Sequence, residues 1–331
     1  MNPTTPPRPV DIAAVFPELV PLARPAVRLH PRVGKPTVHD SSVGGPLLWP
    51  AGEPWPVCAG PHPEDELPVS AADIRRRREI HATRPIDWSY LPEWTEALDA
   101  TYTGHEWSTA PNALQPVVQL YRRDVPALPC PEGADLLQVL WCPLDHEPEW
   151  IPAVRLFWRA AAGVREVVAA PPEPAGFSQH GGYLPEPCVL HPETVTDYPD
   201  PLELDRLAPG LTERIEDWCE AEYAKGSPAL QKYHDEEEAR AFYQYELSSA
   251  PGWKLGGWAP GGDRDPMEAY CETCGALMTP FLSLDSTEEF GNSWDVPGGM
   301  ADIGVDISGG QAVQLHLCPV SFDHPFQEFM R

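Results

Sequence analysis

Cys271 and Cys274 are separated by two residues and followed by Gly275. A CxxC of this form puts two thiolates on one tight turn, and tetrahedral zinc takes its ligands from Cys and His. The glycine adopts positive φ without a steric cost, so both sulfurs can point at one ion. Cys318-Pro319-Val320-Ser321 reads as a second knuckle in which serine stands at the place of its second cysteine. Cys318 supplies a third ligand, and His324, six residues on, supplies the fourth. His316, Ser321 and a water compete for that fourth place, because His316 lies two positions before Cys318 and a strand turns both side chains to one face. The expected site is Cys271, Cys274, Cys318 and His324 around a structural Zn2+. A three-ligand site with an open water would instead be catalytic in form, with Asp285 or Glu272 as its base. The competing reading of the CxxC is a reduced pair or a redox couple. Redox chemistry goes with a βαβ setting, and no such pattern surrounds these cysteines.

Other residues carry weaker signals. Cys142 and His146 form a CxxxH, with Cys130 twelve residues before. A second metal site there competes with the commoner reading, a buried cysteine on a strand edge. Arg75-Arg76-Arg77-Arg78 is the densest basic run. It reads as a solvated helix turn pairing with acidic neighbours, against the sharper alternative of an anion site. Twelve tryptophans, among them Trp49, Trp55, Trp253, Trp258 and Trp294, either pack the core of a proline-rich chain or line a cleft or interface. No GxGxxG, P-loop or nucleophile-elbow sequence is present, which removes the main support for nucleotide-binding folds and serine hydrolases.

Composition narrows the partners. Lys and Arg total 23 against 50 Asp and Glu, a formal charge of -27 over 331 residues. A phosphate backbone is repelled by that field, so nucleic acid is not an expected ligand. A basic protein partner is favoured, because opposite charge speeds association. No stretch reaches the ~18 consecutive apolar residues of a membrane span. Met1 to Pro7 lacks a charged segment followed by an apolar one. The expected location is the cytoplasm, where eight cysteines imply reduced thiols or metal rather than a disulfide frame. Forty-three prolines force much of the backbone into turns and extended segments.

The elements that would position the metal ligands are short. Pro17, Pro21 and Pro25 break Ile12 to Arg28 into turns. Ser70 caps a helix running through Ile74 to Ile80. Pro116–Tyr121, Leu136–Trp141 and Ala153–Trp158 read as strands, with Val164 to Val168 as a partner for the last. Thr212 is the expected cap of a helix through Ile215, Trp218 and Tyr223. Ser227 is the expected cap of another, running from Pro228 through Leu247 with a solvated Asp235–Glu238 face.

Landmarks recur in order. Gly44-Gly45-Pro46, Val118-Gln119-Leu120 and Leu137 to Pro143 with Asp145-His146 match Gly256-Gly257-Trp258, Phe281 to Leu284, and Val313 to Pro319 with Asp323-His324. Shared order at unequal spacing implies an internal duplication. The fold expected is α+β, with duplicated, predominantly β halves, a few helices and Pro/Gly-rich loops. Its parts are a tail and short helices at 1–39, a first β-rich half at 40–170 with an insertion at 58–107, a connecting helical segment at 171–250, and a second half with the CxxC at 251–331.

On Gly44 to Pro50, Lys254 to Trp258 and the Gln138 and Gln314 segments, the chain resembles the YwqG-like (DUF1963) family over roughly residues 40 to 320, and in particular its long, Trp-rich actinobacterial members. The resemblance implies a duplicated α+β fold and no catalytic residues. Relatives encoded near bacterial toxin cassettes point to an immunity or accessory role. Where similar members carry a full CxxC, this chain has Ser321. The function expected is a non-enzymatic interaction or accessory protein, immunity-type, carrying a structural zinc. The alternatives are a zinc-dependent or cleft-based enzyme on a small molecule, and a small-ligand module at the interface of the halves.

Overall fold

A computed structural model describes residues 3–62, 68–83, 111–148, 150–178, 182–259, 268–297 and 302–330. About 21% of the chain is helix and 28% strand, an α+β fold dominated by antiparallel sheets. Much of the 58–107 insertion lies outside the described residues. Its described part contains the helix Ala71–Ala82, whose N-terminus is closed by a capping box between Ser70 and Asp73.

The N-terminal region supplies β1 (Arg24–Arg28), β2 (Arg32–Val33), β3 (Ser42–Val43) and β4 (Val57–Cys58). Then come β5 (Asn112–Ala113), β6 (Gln115–Tyr121), β7 (Leu136–His146) and β8 (Ile151–Arg159). The second half brings β9 (Cys188–Val189), β10 (Glu193–Asp197), β11 (Lys254–Gly256), β12 (Thr279–Asp285), β13 (Ala312–Leu317) and β14 (Gln327–Met330). Two six-stranded sheets result, ordered β2-β9-β3-β6-β7-β8 and β10-β1-β11-β12-β13-β14.

These orders superpose place by place when β1 is matched to β9, β2 to β10, β3 to β11 and β6–β8 to β12–β14. The duplication is therefore reciprocal. The first half lends β1 to the second sheet, beside β11, and the second half lends β9 to the first, beside β3. Between β1 and β2 runs Leu29-His30-Pro31, and between β9 and β10 runs Leu190-His191-Pro192, so one tripeptide makes both crossings. Registers repeat as well. Gln119 faces Gln138 and Ser283 faces Gln314, each pair joined by a buried side-chain hydrogen bond (2.9 and 2.6 Å). Each ladder then slips at a proline, Pro116 or Pro280, which cannot donate to its neighbour.

The main core lies between the sheets and draws on both, including Leu29, Val117, Trp141, Leu282 and Leu315. At one seam Tyr183 bridges Val305, and Asp306 N–H donates to the Gly182 carbonyl at 3.0 Å. A Cβ at Gly182 would lie 1.8 Å from the Asp306 oxygen, so only glycine fits. A second core gathers Ile12, Leu19, Ile215, Phe242 and Leu247 around the helical segment. Trp49, Trp253 and Trp294 are fully buried, which is the packing role for them.

Three local expectations are corrected. The helix Leu211–Ala224 starts after Gly210 in left-handed conformation, and Thr212 sits inside it, its hydroxyl donating to the Pro201 carbonyl. The segment after Ser227 is not one helix. It breaks into a 3-10 turn at Pro228–Leu230, a helix at Glu236–Arg240 and a wider turn at Tyr243–Leu247, because Asp235 caps a new start by accepting from Glu238 N–H at 2.8 Å. Val167 and Val168 join Pro50 and Trp49 rather than β8, whose partner is β7. Among the described residues no helix is long and apolar enough to cross a membrane.

Candidate metal centres

The second-half donors converge. Cys271 and Cys274 lie on the turn closed by the Tyr270–Leu277 bridge. Gly275, at φ 69°, donates to the Cys271 carbonyl at 2.7 Å and lets the chain reverse after the second cysteine. Cys318 follows the last residue of β13 and accepts from Val320 N–H at 3.4 Å. His324 N–H reaches the Ser321 carbonyl, which swings the imidazole back over the knuckle. Its Nδ1 lies 3.2 Å from Cys318 Sγ and 3.5 Å from Cys271 Sγ, and Cys274 and Cys318 sulfurs are 3.6 Å apart. All four donor atoms fall within 4.8 Å of one another. Of the three competitors for the fourth place, His316 stacks edge-on against Phe329, and the Ser321 hydroxyl accepts from Asp323 N–H, so neither joins the group.

A second cluster occupies the first half: Cys58, His62, Cys142 and His146. Cys58 ends β4 and accepts from Gly60 N–H at 3.5 Å. Cys142 and His146 stand on β7. Cys142 Sγ is 3.3 Å from His62 Nε2 and Cys58 Sγ is 3.6 Å from His146 Nε2, with the two imidazoles edge to face at 4.8 Å. Cys130 is not part of it; it packs against the main core. The CxxxH of Cys142 and His146 is thus half of a Cys/His cluster, and its missing half is Cys58 with His62, also a CxxxH. The sequence makes Cys58 only the start of an insertion and assigns neither Cys58 nor His62 a ligand role.

The clusters correspond under the duplication. Cys142 and His146, at the end of β7, match Cys318 and His324, which follow β13. Cys58 and His62 match Cys271 and Cys274. The donor sets differ by one exchange, two Cys and two His against three Cys and one His.

Fit to a tetrahedral ion can be tested on edge lengths. With Zn–S of about 2.3 Å and Zn–N of about 2.0–2.1 Å, ligand atoms in a tetrahedron sit about 3.6 Å (S to N) and about 3.8 Å (S to S) apart. Five of the donor pairs lie 3.2 to 3.6 Å apart, and every other pair within a cluster lies within 4.8 Å, a spacing that can close on one ion. All eight cysteines are free thiols, so the sulfur contact is no disulfide. The backbone N–H groups of Gly60 and Val320 aimed at sulfur favour thiolate. The hydrogen-bonded Cys142 thiol, with the His146 ring and Gly60 N–H adding and burial opposing, pushes Cys58 down to about 3. By contrast, burial pushes Cys188 and Cys219 up to about 12, as expected of inert core thiols.

The basic run resolves differently along its length. Arg75 and Arg76 are exposed, whereas Arg78 pairs with Glu186 (2.6 Å) and donates to the carbonyls of Leu184 and Gly304 (both 2.6 Å). It is a bridge into the second half rather than an anion site. Buried charge also collects around β1 and β11. Lys254 and Asp197, both fully buried, pair at 2.5 Å. His30, in left-handed conformation at φ 44°, lies between Glu193 (3.1 Å) and Glu288 (3.5 Å). No protein-family model matches the chain, and no curated protein matches it.

Proposed function

We propose that the chain is a non-enzymatic interaction protein in which each half is pinned by one structural zinc. The observation that carries this reading is that each cluster supplies four protein donors. A closed tetrahedron leaves no position for a reacting water, which is the form of structural rather than catalytic zinc. Mixed thiolate and imidazole donors this close together suit Zn2+ better than the hard cations, which prefer oxygen. The ion in each half would tie the end of β7, or the loop after β13, to a separate knuckle, so that metal binding contributes directly to folding. The charge of -27 favours a basic protein partner. The likeness to YwqG-like proteins, on the residues given above, agrees with an accessory or immunity-type role in the cytoplasm.

The test is elemental analysis of purified protein together with a thermal melt before and after chelation. Two zinc ions per chain, with cooperative folding lost on chelation, supports the reading. Metal that leaves without affecting the melt removes it. The second reading, a cleft-based enzyme, is favoured by one observation: a strained, fully buried His30 held between two carboxylates, the kind of backbone outlier that clusters at active sites. It requires that His30→Gln abolish a small-molecule hydrolase activity while the fold and metal content stay intact.

A further inference from the structure

A cavity of about 390 Å³ opens on the inner face of the second sheet. Its floor is Val27, Leu255, Phe281 and Leu317, one residue from each of β1, β11, β12 and the end of β13. One wall is the Cys318–Phe322 knuckle, and the opposite rim is Ala127 and Pro129 of the first half.

The duplication provides an internal control. Strand registers match Val27 to Cys188, Leu255 to Val43, Phe281 to Val117 and Leu317 to Trp141. In the first sheet all four counterparts are fully buried. Trp141 fills that position, its indole N–H donating to the Tyr183 carbonyl at 2.9 Å and its ring packed edge-on to Tyr183 at 5.6 Å. The same place in the second half holds a leucine, and the space stays open. One fold thus carries the pocket twice, plugged in one copy and vacant in the other.

The lining sets the ligand chemistry. Its described residues include no charged side chain, although charged residues make up 22% of the chain. Burying an unpaired charge there would cost its solvation with nothing to replace it. The polar side-chain atoms on offer are the hydroxyls of Thr194, Thr279 and Ser321 and the Cys318 sulfur, which belongs to the metal cluster. The volume falls within the roughly 300–1,000 Å³ typical of small-molecule sites.

We propose that this cavity binds a neutral, predominantly apolar small molecule, and that Leu317, in place of the tryptophan found in the first half, is what keeps it open. The inference goes beyond the structural-metal reading and does not need it, because the floor is made by the sheet.

The experiment uses two dyes with one skeleton on the full chain: neutral N-phenyl-1-naphthylamine and its sulfonated analogue 8-anilinonaphthalene-1-sulfonate. Fluorescence titration is expected to give saturable, one-to-one binding of the neutral dye and at least tenfold weaker binding of the anionic one. Leu317→Trp, the first half's own solution, is expected to weaken the neutral dye at least tenfold. Ala127→Trp, at an exposed rim position outside the core, is expected to do the same and guards against a folding defect in the first variant. Circular dichroism and metal content on both variants report whether the fold and the knuckle survive. Absence of saturable binding, equal affinity for the two dyes, or undiminished binding by both folded variants overturns the proposal.

Discussion

Cys142→Ser tests whether the first-half cluster is a metal site independent of the second. The Cys142 side chain is fully buried and its sulfur lies 3.3 Å from His62 Nε2, so the substitution removes one donor and changes little volume. Serine does not ionise near neutral pH and cannot replace a thiolate. Structural zinc in small Cys/His folds binds with about 10–16 kcal/mol, so one ligand of four is worth about 3 kcal/mol. That is a loss of roughly a hundredfold in affinity. The two donor sets share no residue, one at the end of β7 and the other beyond β13 in a different sheet, so Cys142→Ser should leave the second cluster loaded. Elemental analysis after dialysis against a weak chelator is expected to give two zinc ions for the parent chain, one for Cys142→Ser, one for Cys318→Ser and none for the double variant. Competition with a chromogenic chelator should show the parent releasing its ions in two steps, with the two-thiolate first cluster giving up its ion first. A parent chain with one ion or none would refute the reasoning, as would single variants that each lose both.

Other perturbations address the frame that holds the clusters. Arg78→Ala removes a guanidinium that joins Glu186 and two carbonyls, and is expected to cost about 2 kcal/mol in urea unfolding. The exposed Arg76→Ala should stay within about 0.5 kcal/mol. Lys254→Met leaves buried Asp197 with only the N–H groups of Ala250 and Trp258, and is expected to cost about 4 kcal/mol. Burial, reinforced by the nearby Glu288 charge and opposed by the N–H groups of Thr287 and Gly252, raises the Asp285 carboxyl to about 7. Its unfolded value is about 3.9, so between about pH 4 and 7 the folded chain holds a proton that the unfolded chain has released. That contribution is complete below about pH 4 and is lost as pH rises through 7. Asp285→Asn should therefore gain on the parent chain by a few kcal/mol between pH 4.5 and 8, measured as the difference in unfolding free energy at fixed zinc. No such change in the difference would remove the assignment.

What the sequence disclosed follows from how locally each feature is encoded. The convergence of Cys271, Cys274, Cys318 and His324 is legible because a CxxC and a glutamine strand ending in Cys-Pro are short signals, and hydrogen bonding at Ser321 keeps its hydroxyl out of the group. Cys58 and His62 were not legible as ligands. A CxxxH in a Pro/Gly-rich loop looks like any pair of polar residues until β4 and β5 bring it to the end of β7, across a gap of about eighty residues. One sequence signal does point to them: aligning Cys142 with Cys318 leaves Cys271 and Cys274 without a first-half counterpart unless Cys58 and His62 take that part. The duplication was visible as an order of landmarks, but the strand exchange was not. Its trace is the repeated Leu-His-Pro at 29–31 and 190–192, which marks two crossings only once it is known that the strands on either side pair with different sheets. Pairing partners more than a hundred residues apart are set by which apolar face finds cover, and periodicity in a window of a few residues holds no record of that choice. The exchange also has a mechanical consequence for the two Cys/His clusters. Each sheet contains a strand from the other half, so neither sheet forms without the whole chain, and each cluster's scaffold depends on residues from both sides of the duplication.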